Sequence, residues 1–139
     1  MLYQLVSLKT HGMKNKNQGA LSIIEGTQDA PFEIKRIYYI HGVKAGERRG
    51  HHAHKALWQL LFCPYGKIRI NIENGTESAS VLLETPSAGL LLGPGVWRTM
   101  DWLQDDSVLC VAASEHYDED DYIRDYQQFR EYVAQAACK

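Results

Sequence analysis

Period-two alternation dominates this chain. In residues 67–73 (KIRINIE), Ile68, Ile70 and Ile72 fall on one side and Lys67, Arg69, Asn71 and Glu73 on the other, the pattern of a strand with one buried face. Asn74-Gly75 follows directly; both residues tolerate positive φ, so the pair predicts a type I′ hairpin turn. The return strand covers 78–84 with Ala79, Val81 and Leu83 inward, and Pro86 stops it. Residues 32–40 (FEIKRIYYI) are rich in β-formers and predict an earlier strand. Residues 57–63 are almost unbroken in apolar character, as a strand covered on both faces should be. Residues 90–92 lead into the turn Gly93-Pro94-Gly95, and 107–113 predict another buried strand. Short strands at this spacing, broken by Gly and Pro, predict an all-β sandwich or barrel over about residues 1–116.

The tail changes period. Tyr122, Tyr126, Phe129 and Val133 stand at i, i+4, i+7 and i+11, one apolar stripe of a helix expected over about 118–136. The four acids Asp118, Glu119, Asp120 and Asp121 would sit at its start, where they complement the helix dipole. On this reading Tyr122, Tyr126 and Phe129 are packing residues. With no internal repeat, low-complexity tract or linker, residues 1–139 are expected to form a single domain.

Composition narrows the possible functions. The formal net charge of −2 gives no broad attraction for a phosphate backbone, so nucleic acid is not an expected partner. The longest apolar runs, such as Ala88–Leu92, fall far short of the roughly 20 residues that span a bilayer. The first residues lack the charged and apolar regions of a secretory signal. Cys63, Cys110 and Cys138 have no ligand-like spacing, which suits a reducing cytoplasm.

The chemistry gathers in RRGHHAHK (48–55), which holds three of the six histidines. Alternation along a strand puts His52 and His54 on one face and His51 on the other. Gly46 precedes His52 by six residues, while Gln59 and Gly66 follow His54. This spacing resembles the first cupin motif, in which a glycine, an HxH pair, an acid and a second glycine bring ligands together in a barrel mouth. Two elements depart from a metal-binding cupin: neutral Gln59 stands in place of the acid, and GPGVWR (93–98) offers Arg98 where a third histidine is usual. A guanidinium has no lone pair to donate and repels a cation, so no metal is expected. A histidine pair beside arginines and hydroxyls suits proton removal and return, hence isomerase or epimerase chemistry.

The blocks PFEIKRIYYI (31–40), RGHHAHK (49–55), GPGVWRTM (93–100) and ASEHYDEDDYIRDYQQF (113–129) occur in order. Together, over about residues 1–132, they resemble the WxcM-like dTDP-sugar 3,4-ketoisomerases. The resemblance implies a cupin jelly-roll barrel and a homodimer that exchanges N-terminal strands. It implies a shift of the keto group of dTDP-4-keto-6-deoxy-glucose from C4 to C3 through an enediolate, without cofactor, feeding synthesis of a 3-amino-3,6-dideoxy sugar. Carried over by position, His52 is the carbon acid–base residue, His54 a proton relay or orienting partner, and Tyr38 an active-site tyrosine near the sugar. Arg36, on the face of Tyr38, and Arg49 are candidates for the sugar or diphosphate, and Trp97 and Arg98 close the other side of the mouth. Gln18 falls where relatives often carry Arg or Tyr, a position tied to sugar binding or proton transfer. The VWR form of the third block points to the glucose-configured product. His51 is given no role.

Two other readings stay open from the residues. A non-catalytic cupin that binds a nucleotide sugar needs no titratable pair, and a metal-dependent cupin oxygenase is opposed by Gln59 and Arg98. Trp58 is expected in the core or at a dimer contact, and Trp102 with Asp105-Asp106 in a loop. His11 and His116 are expected to be exposed or capping.

Overall fold

A computed structural model describes residues 2–138. Its strands are β1 (Gln4–Ser7), β2 (Lys9–Gly12), β3 (Ala20–Ile23), β4 (Arg36–Ile40), β5 (Arg48–His54) and β6 (Gln59–Tyr65). They continue with β7 (Ile68–Glu73), β8 (Ser78–Leu83), β9 (Ala88–Leu92), β10 (Trp97–Trp102), β11 (Val108–Ala113) and β12 (Tyr122–Ile123), before helix α1 (Tyr126–Ala137). Two five-stranded sheets, β1-β9-β6-β11-β4 and β12-β5-β10-β7-β8, form the jelly-roll sandwich of a cupin. The hairpin β2-β3 pairs only with itself.

The alternation that predicts the strands also builds the core. Ile68, Ile70 and Ile72 on β7 face Leu61, Leu90 and Val111 of the opposite sheet, and Met100 and Trp102 enter from β10. Trp102 is the last residue of β10, fully buried, with its indole N–H donating to the Ser107 carbonyl at 2.8 Å; it is a core residue and not a loop residue as expected. Trp58 lies just before β6 and is 43% exposed, so it is not in the core. Only 36–40 of the predicted strand 32–40 enters a sheet. The preceding residues fold over the outer face of the first sheet, where Ile24, Phe32 and Ile34 cover Leu60, Leu91 and Ala112.

The hairpin between β7 and β8 also differs from expectation. Register pairs Glu73 with Ser78, which leaves a four-residue loop and not a two-residue type I′ turn. Asn74 Oδ1 accepts from the backbone N–H of Thr76 and of Glu77, and this side-chain cap replaces a second positive-φ residue.

The larger correction concerns the tail. The helix begins at Tyr126, with Asp125 as its cap, and not near residue 118. Asp118–Asp121 form a short 3-10 turn, and Tyr122-Ile123 pair with His54-Ala53 of β5 as the outer strand of the second sheet. The stripe is therefore split. Tyr126 and Phe129 pack on Trp97 at centroid distances of 5.3 and 5.6 Å, whereas Tyr122 belongs to the barrel. Phe129 is fully buried with Ala53, Trp97 and Ile123, so Phe129→Ala should cost about 3–5 kcal/mol. Denaturant unfolding followed by tryptophan fluorescence measures this loss.

Candidate active site

The polar side chains collect at one end of the space between the sheets. On the first sheet, Arg36 and Tyr38 share the inner face of β4, and Gln59 opens β6 beside them. On the second sheet, Arg98 lies opposite His52 across the β10–β5 pair, so both side chains point inward.

A bulge sets this geometry. Thr99 pairs with Gly50 and Arg98 with His52, leaving His51 as the extra residue. Gly50 and His51 have φ of 97° and 57°, and a Cβ at Gly50 would meet Met100 Sδ at 2.7 Å and the Arg98 carbonyl at 2.9 Å. The extra residue resets the alternation. Arg49, which strict alternation would place with outward His51, instead pairs with Met100 and lines the same cavity as His52. His51 is exposed, consistent with its having no assigned role.

Each catalytic candidate is locked by its neighbours. His52 Nδ1 donates to the Gly50 carbonyl at 3.1 Å, which leaves the Nε2 lone pair free. His54, fully buried, is bonded through Nδ1 to the Asp121 carboxylate at 2.9 Å, and its Nε2 has no partner. The two rings meet edge to face at 5.0 Å, and Tyr122 packs against both, at 5.2 and 4.4 Å.

A directed chain of hydrogen bonds runs between the sheets. Arg98 donates to Gln59 Oε1 and, at 3.1 Å, to the Val96 carbonyl; Gln59 Nε2 then donates to the Tyr38 hydroxyl at 2.9 Å. Tyr38 therefore accepts from the protein and keeps its own O–H for a ligand. A carboxylate at 59 would reverse this, since it accepts from both sides and would draw the Tyr38 proton inward. The residue that departs from the metal-binding motif thus has a part in the site.

Burial and positive charge set the protonation states. Desolvation first, then Arg98 and the neighbouring ring, lowers the pKa of His52 to about 3. Burial, then Arg98, Arg36 and Arg124, lowers that of His54 to about 3 as well. Burial raises the Tyr38 phenol above its ordinary value, and burial lowers Arg98 only to about 10, so the guanidinium stays charged at neutral pH. The pair is two neutral bases facing a cation.

Two adjoining cavities, of about 380 and 400 Å³, share Arg36, Tyr117 and Tyr122 as a common wall; the first exposes His52 and Arg49, the second His54. Of the residues expected at the site, His52, His54, Tyr38, Arg36, Arg49 and Arg98 come together here. Trp97 does not: alternation along β10 turns it to the outer face, under α1. Gln18 lies in the exposed loop of the β2-β3 hairpin, away from this cluster. Asp121, Tyr122, Tyr117 and Arg124 were not anticipated. Arg124 lies over the Tyr122 ring at 4.2 Å and is held by Glu119. Among the described residues, no group of three or more His, Cys, Asp or Glu is placed to hold a metal ion.

A cupin barrel whose mouth presents two imidazoles, a tyrosine and a ring of arginines is the class of site that moves protons on an anionic carbonyl compound. The chain matches the family model described as FdtA, WxcM-like, C-terminal, over residues 1–134. It is 44% identical over 118 residues to the TDP-4-oxo-6-deoxy-alpha-D-glucose-3,4-oxoisomerase of Aneurinibacillus thermoaerophilus, covering 85% of each chain. It also resembles crystal structures of QdtA, a sugar 3,4-ketoisomerase from Thermoanaerobacterium thermosaccharolyticum. The complex with TDP is 40% identical, with 96% of each chain covered and a TM-score of 0.89. A histidine-to-asparagine mutant in complex with TDP-4-keto-6-deoxyglucose is 41% identical, with 96% of this chain and 94% of that one covered and a TM-score of 0.90. The chain belongs to the FdtA, WxcM-like family, and it is an isomerase.

The protonation states predict how stability depends on pH. Both histidines have folded values near 3, below the ordinary 6.5 of an unfolded chain. Below pH 6.5 the unfolded state therefore binds protons that the folded state refuses. Their contribution is complete above that pH and is lost as pH falls from 6.5 towards 3. The slope of unfolding free energy against pH in this window should fall by roughly one proton in His52→Asn, and by roughly one more when His54→Asn is added. Chemical denaturation at a series of pH values measures both steps.

Proposed function

We propose that the protein converts dTDP-4-keto-6-deoxy-glucose to the 3-keto sugar, with the glucose-configured product, on the way to a 3-amino-3,6-dideoxy sugar. The observation that carries this reading is the His52 imidazole, its Nδ1 occupied by the Gly50 carbonyl, its ring lining a cavity with Tyr38, and Arg98 paired opposite it across the sheet; burial and that cation favour its neutral form. The C4 carbonyl oxygen accepts from Tyr38 and faces Arg98, which acidifies the C3 hydrogen. His52 Nε2 takes that hydrogen as a proton. The resulting enediolate is held by Tyr38 and Arg98, and His52 returns the proton to C4. The hydroxyl proton passes from O3 to O4 by way of His54 Nε2, so no proton is gained or lost overall. Arg36 and Arg49, with Arg124 nearby, face the charged end of the nucleotide sugar. Arg98 in the VWR sequence supports the glucose configuration. No step uses a metal or cofactor.

His52→Asn should lower turnover by about 10³-fold, and chelator should leave the wild-type rate unchanged, with the 3-keto product followed by NMR. A wild type that binds the nucleotide sugar without forming product would favour a binding module, turnover that stops with chelator would favour a metal enzyme, and turnover that survives the substitution would remove His52 as the base.

The exposed hairpin supports an assembly of two copies. Lys9–Gly12 and Ala20–Leu21 are exposed on a ribbon that packs on neither sheet, and an isolated two-stranded hairpin is marginal in water. Ile37 and Tyr39 are 64% and 62% exposed on the outer face of β4. A homodimer that exchanges N-terminal strands would bury such surfaces and carry Gln18 towards the neighbouring subunit's cavity. Sedimentation should give a dimer, and a monomer at micromolar concentration would remove Gln18 from the site. Three free thiols support a cytoplasmic setting, and among the described residues no helix is long and apolar enough to cross a membrane.

A further inference from the structure

We propose that Asp121 is a positioning residue that selects the tautomer of His54, fixing its Nε2 as a lone-pair acceptor towards the substrate hydroxyl; this rests on the isomerase reading above. Asp121 reaches His54 because β12 pairs with the end of β5, Tyr122 opposite His54 and Ile123 opposite Ala53. Its carbonyl accepts from the Lys55 N–H at 2.9 Å and its own N–H donates to the Asp118 carbonyl at 3.1 Å, so the backbone is held on both sides. The side chain is used completely. Oδ1 accepts from the Ala56 N–H at 2.8 Å, and Oδ2 faces His54 Nδ1 at 2.9 Å.

A backbone N–H donates only and a carboxylate accepts only, so the ring nitrogen facing Oδ2 must carry the proton. Nε2 is then a buried lone pair with no donor among the described residues. What else faces the ring does not supply one: Tyr122 covers a face, His52 meets it edge-on, and Arg98, Arg36 and Arg124 oppose its protonation. A sugar hydroxyl is the donor that this acceptor lacks.

The chemistry needs this orientation. Moving a ketone from C4 to C3 transfers a hydrogen between carbons and a second proton from the C3 hydroxyl to the C4 oxygen. If His54 carried its proton on Nε2, it would donate to the hydroxyl and leave that second proton without an acceptor. Asp121 touches neither proton and acts through the ring.

Asp121→Asn separates tautomer from packing. An amide offers one acceptor where two are used. If its oxygen keeps Ala56, its NH₂ faces His54 Nδ1 and drives the ring proton to Nε2. The test is long-range ¹H–¹⁵N NMR of histidine-labelled protein, together with steady-state kinetics on dTDP-4-keto-6-deoxy-glucose. The wild type should show His54 protonated on Nδ1. Asp121→Asn should show it on Nε2, with kcat lower by about 10²-fold or more and KM within about threefold, since a wrong tautomer in a catalytic histidine costs up to about 10⁴. Asp121→Glu, which restores two acceptor oxygens, should recover the Nδ1–H form and much of kcat. A wild-type His54 protonated on Nε2 overturns the proposal even if the asparagine variant does not fold. So does an asparagine variant that loses activity with its tautomer unchanged. A wild type with the expected tautomer that does not turn over the keto sugar refutes the functional reading and leaves only the tautomer assignment standing.

Discussion

Arg98 enters the barrel from β10 with only 2% of its surface exposed, and taking a cation out of water costs several kcal/mol unless neighbours offset it. Gln59 and the Val96 carbonyl accept two of its N–H groups, while Nε has no partner. Two phenols, Tyr38 and Tyr122, and the more distant Asp121 favour its charge. The compensation is incomplete: among the described residues no carboxylate is bonded to it. A buried cation left in this state makes the cavity one that gains most when an anion forms inside it. Burial first, and then this cation, keep both imidazoles neutral, because a proton on either would add a second positive charge in a water-poor site. The neutral state of the pair thus comes from burial reinforced by the same cation that would attract an enediolate.

Placing that charge opposite the right base needs two irregularities, and neither is a property of strand alternation. The Gly50–His51 bulge brings Arg49 to the inner side and aims the Gly50 carbonyl at His52 Nδ1. Only glycine fits there, since a side chain would collide with Met100 and with the Arg98 backbone. The second irregularity is the tail, which leaves the first sheet after β11, turns at Asp118, and adds β12 to the edge of the second. α1 then docks through Phe129 on Ala53, Trp97 and Ile123 outside the cavity. The helix contributes nothing to the cavity directly; its burial keeps β12, and so Asp121 and Tyr122, against the histidines.

Much of this was legible in residues with strict alternation. Ile68, Ile70 and Ile72 face inward as their spacing requires, and His52 and His54 share a face for the same reason. Reading failed where a local rule was overridden by a contact far away in the chain. The 122–133 stripe fits a helical period, but Tyr122 gains more by pairing beside His54 than by starting a helix. The signal that could have marked the boundary was Asp125, a cap residue three positions before Gln128. Trp97, implied by the resemblance as a wall of the mouth together with Arg98, cannot share its cavity, because adjacent strand residues point to opposite faces. Asp121 was read as one of four acids at a helix end. Nothing in its sequence neighbourhood tells that its two oxygens meet Ala56 and His54.

A base whose pKa lies near 3 in the free enzyme raises a question for any mechanism, since proton abstraction is easiest when the base titrates near the working pH. The answer lies in what is created along with the imidazolium. In the proposed mechanism, as His52 takes the carbon proton the substrate becomes an enediolate within the same water-poor cavity, and the two new charges attract each other strongly where the dielectric is low. Arg98, which opposes protonation while the cavity is uncharged, is neutralised by the same oxyanion. The imidazolium therefore exists only while the enediolate does, and it reverts as soon as either carbon takes the proton back. The Gly50 bond holds the ring in place while the proposed transfer takes place, so the proton that leaves one carbon is presented to the next by the same nitrogen. The depressed pKa suits a reaction that must finish with the proton it began with.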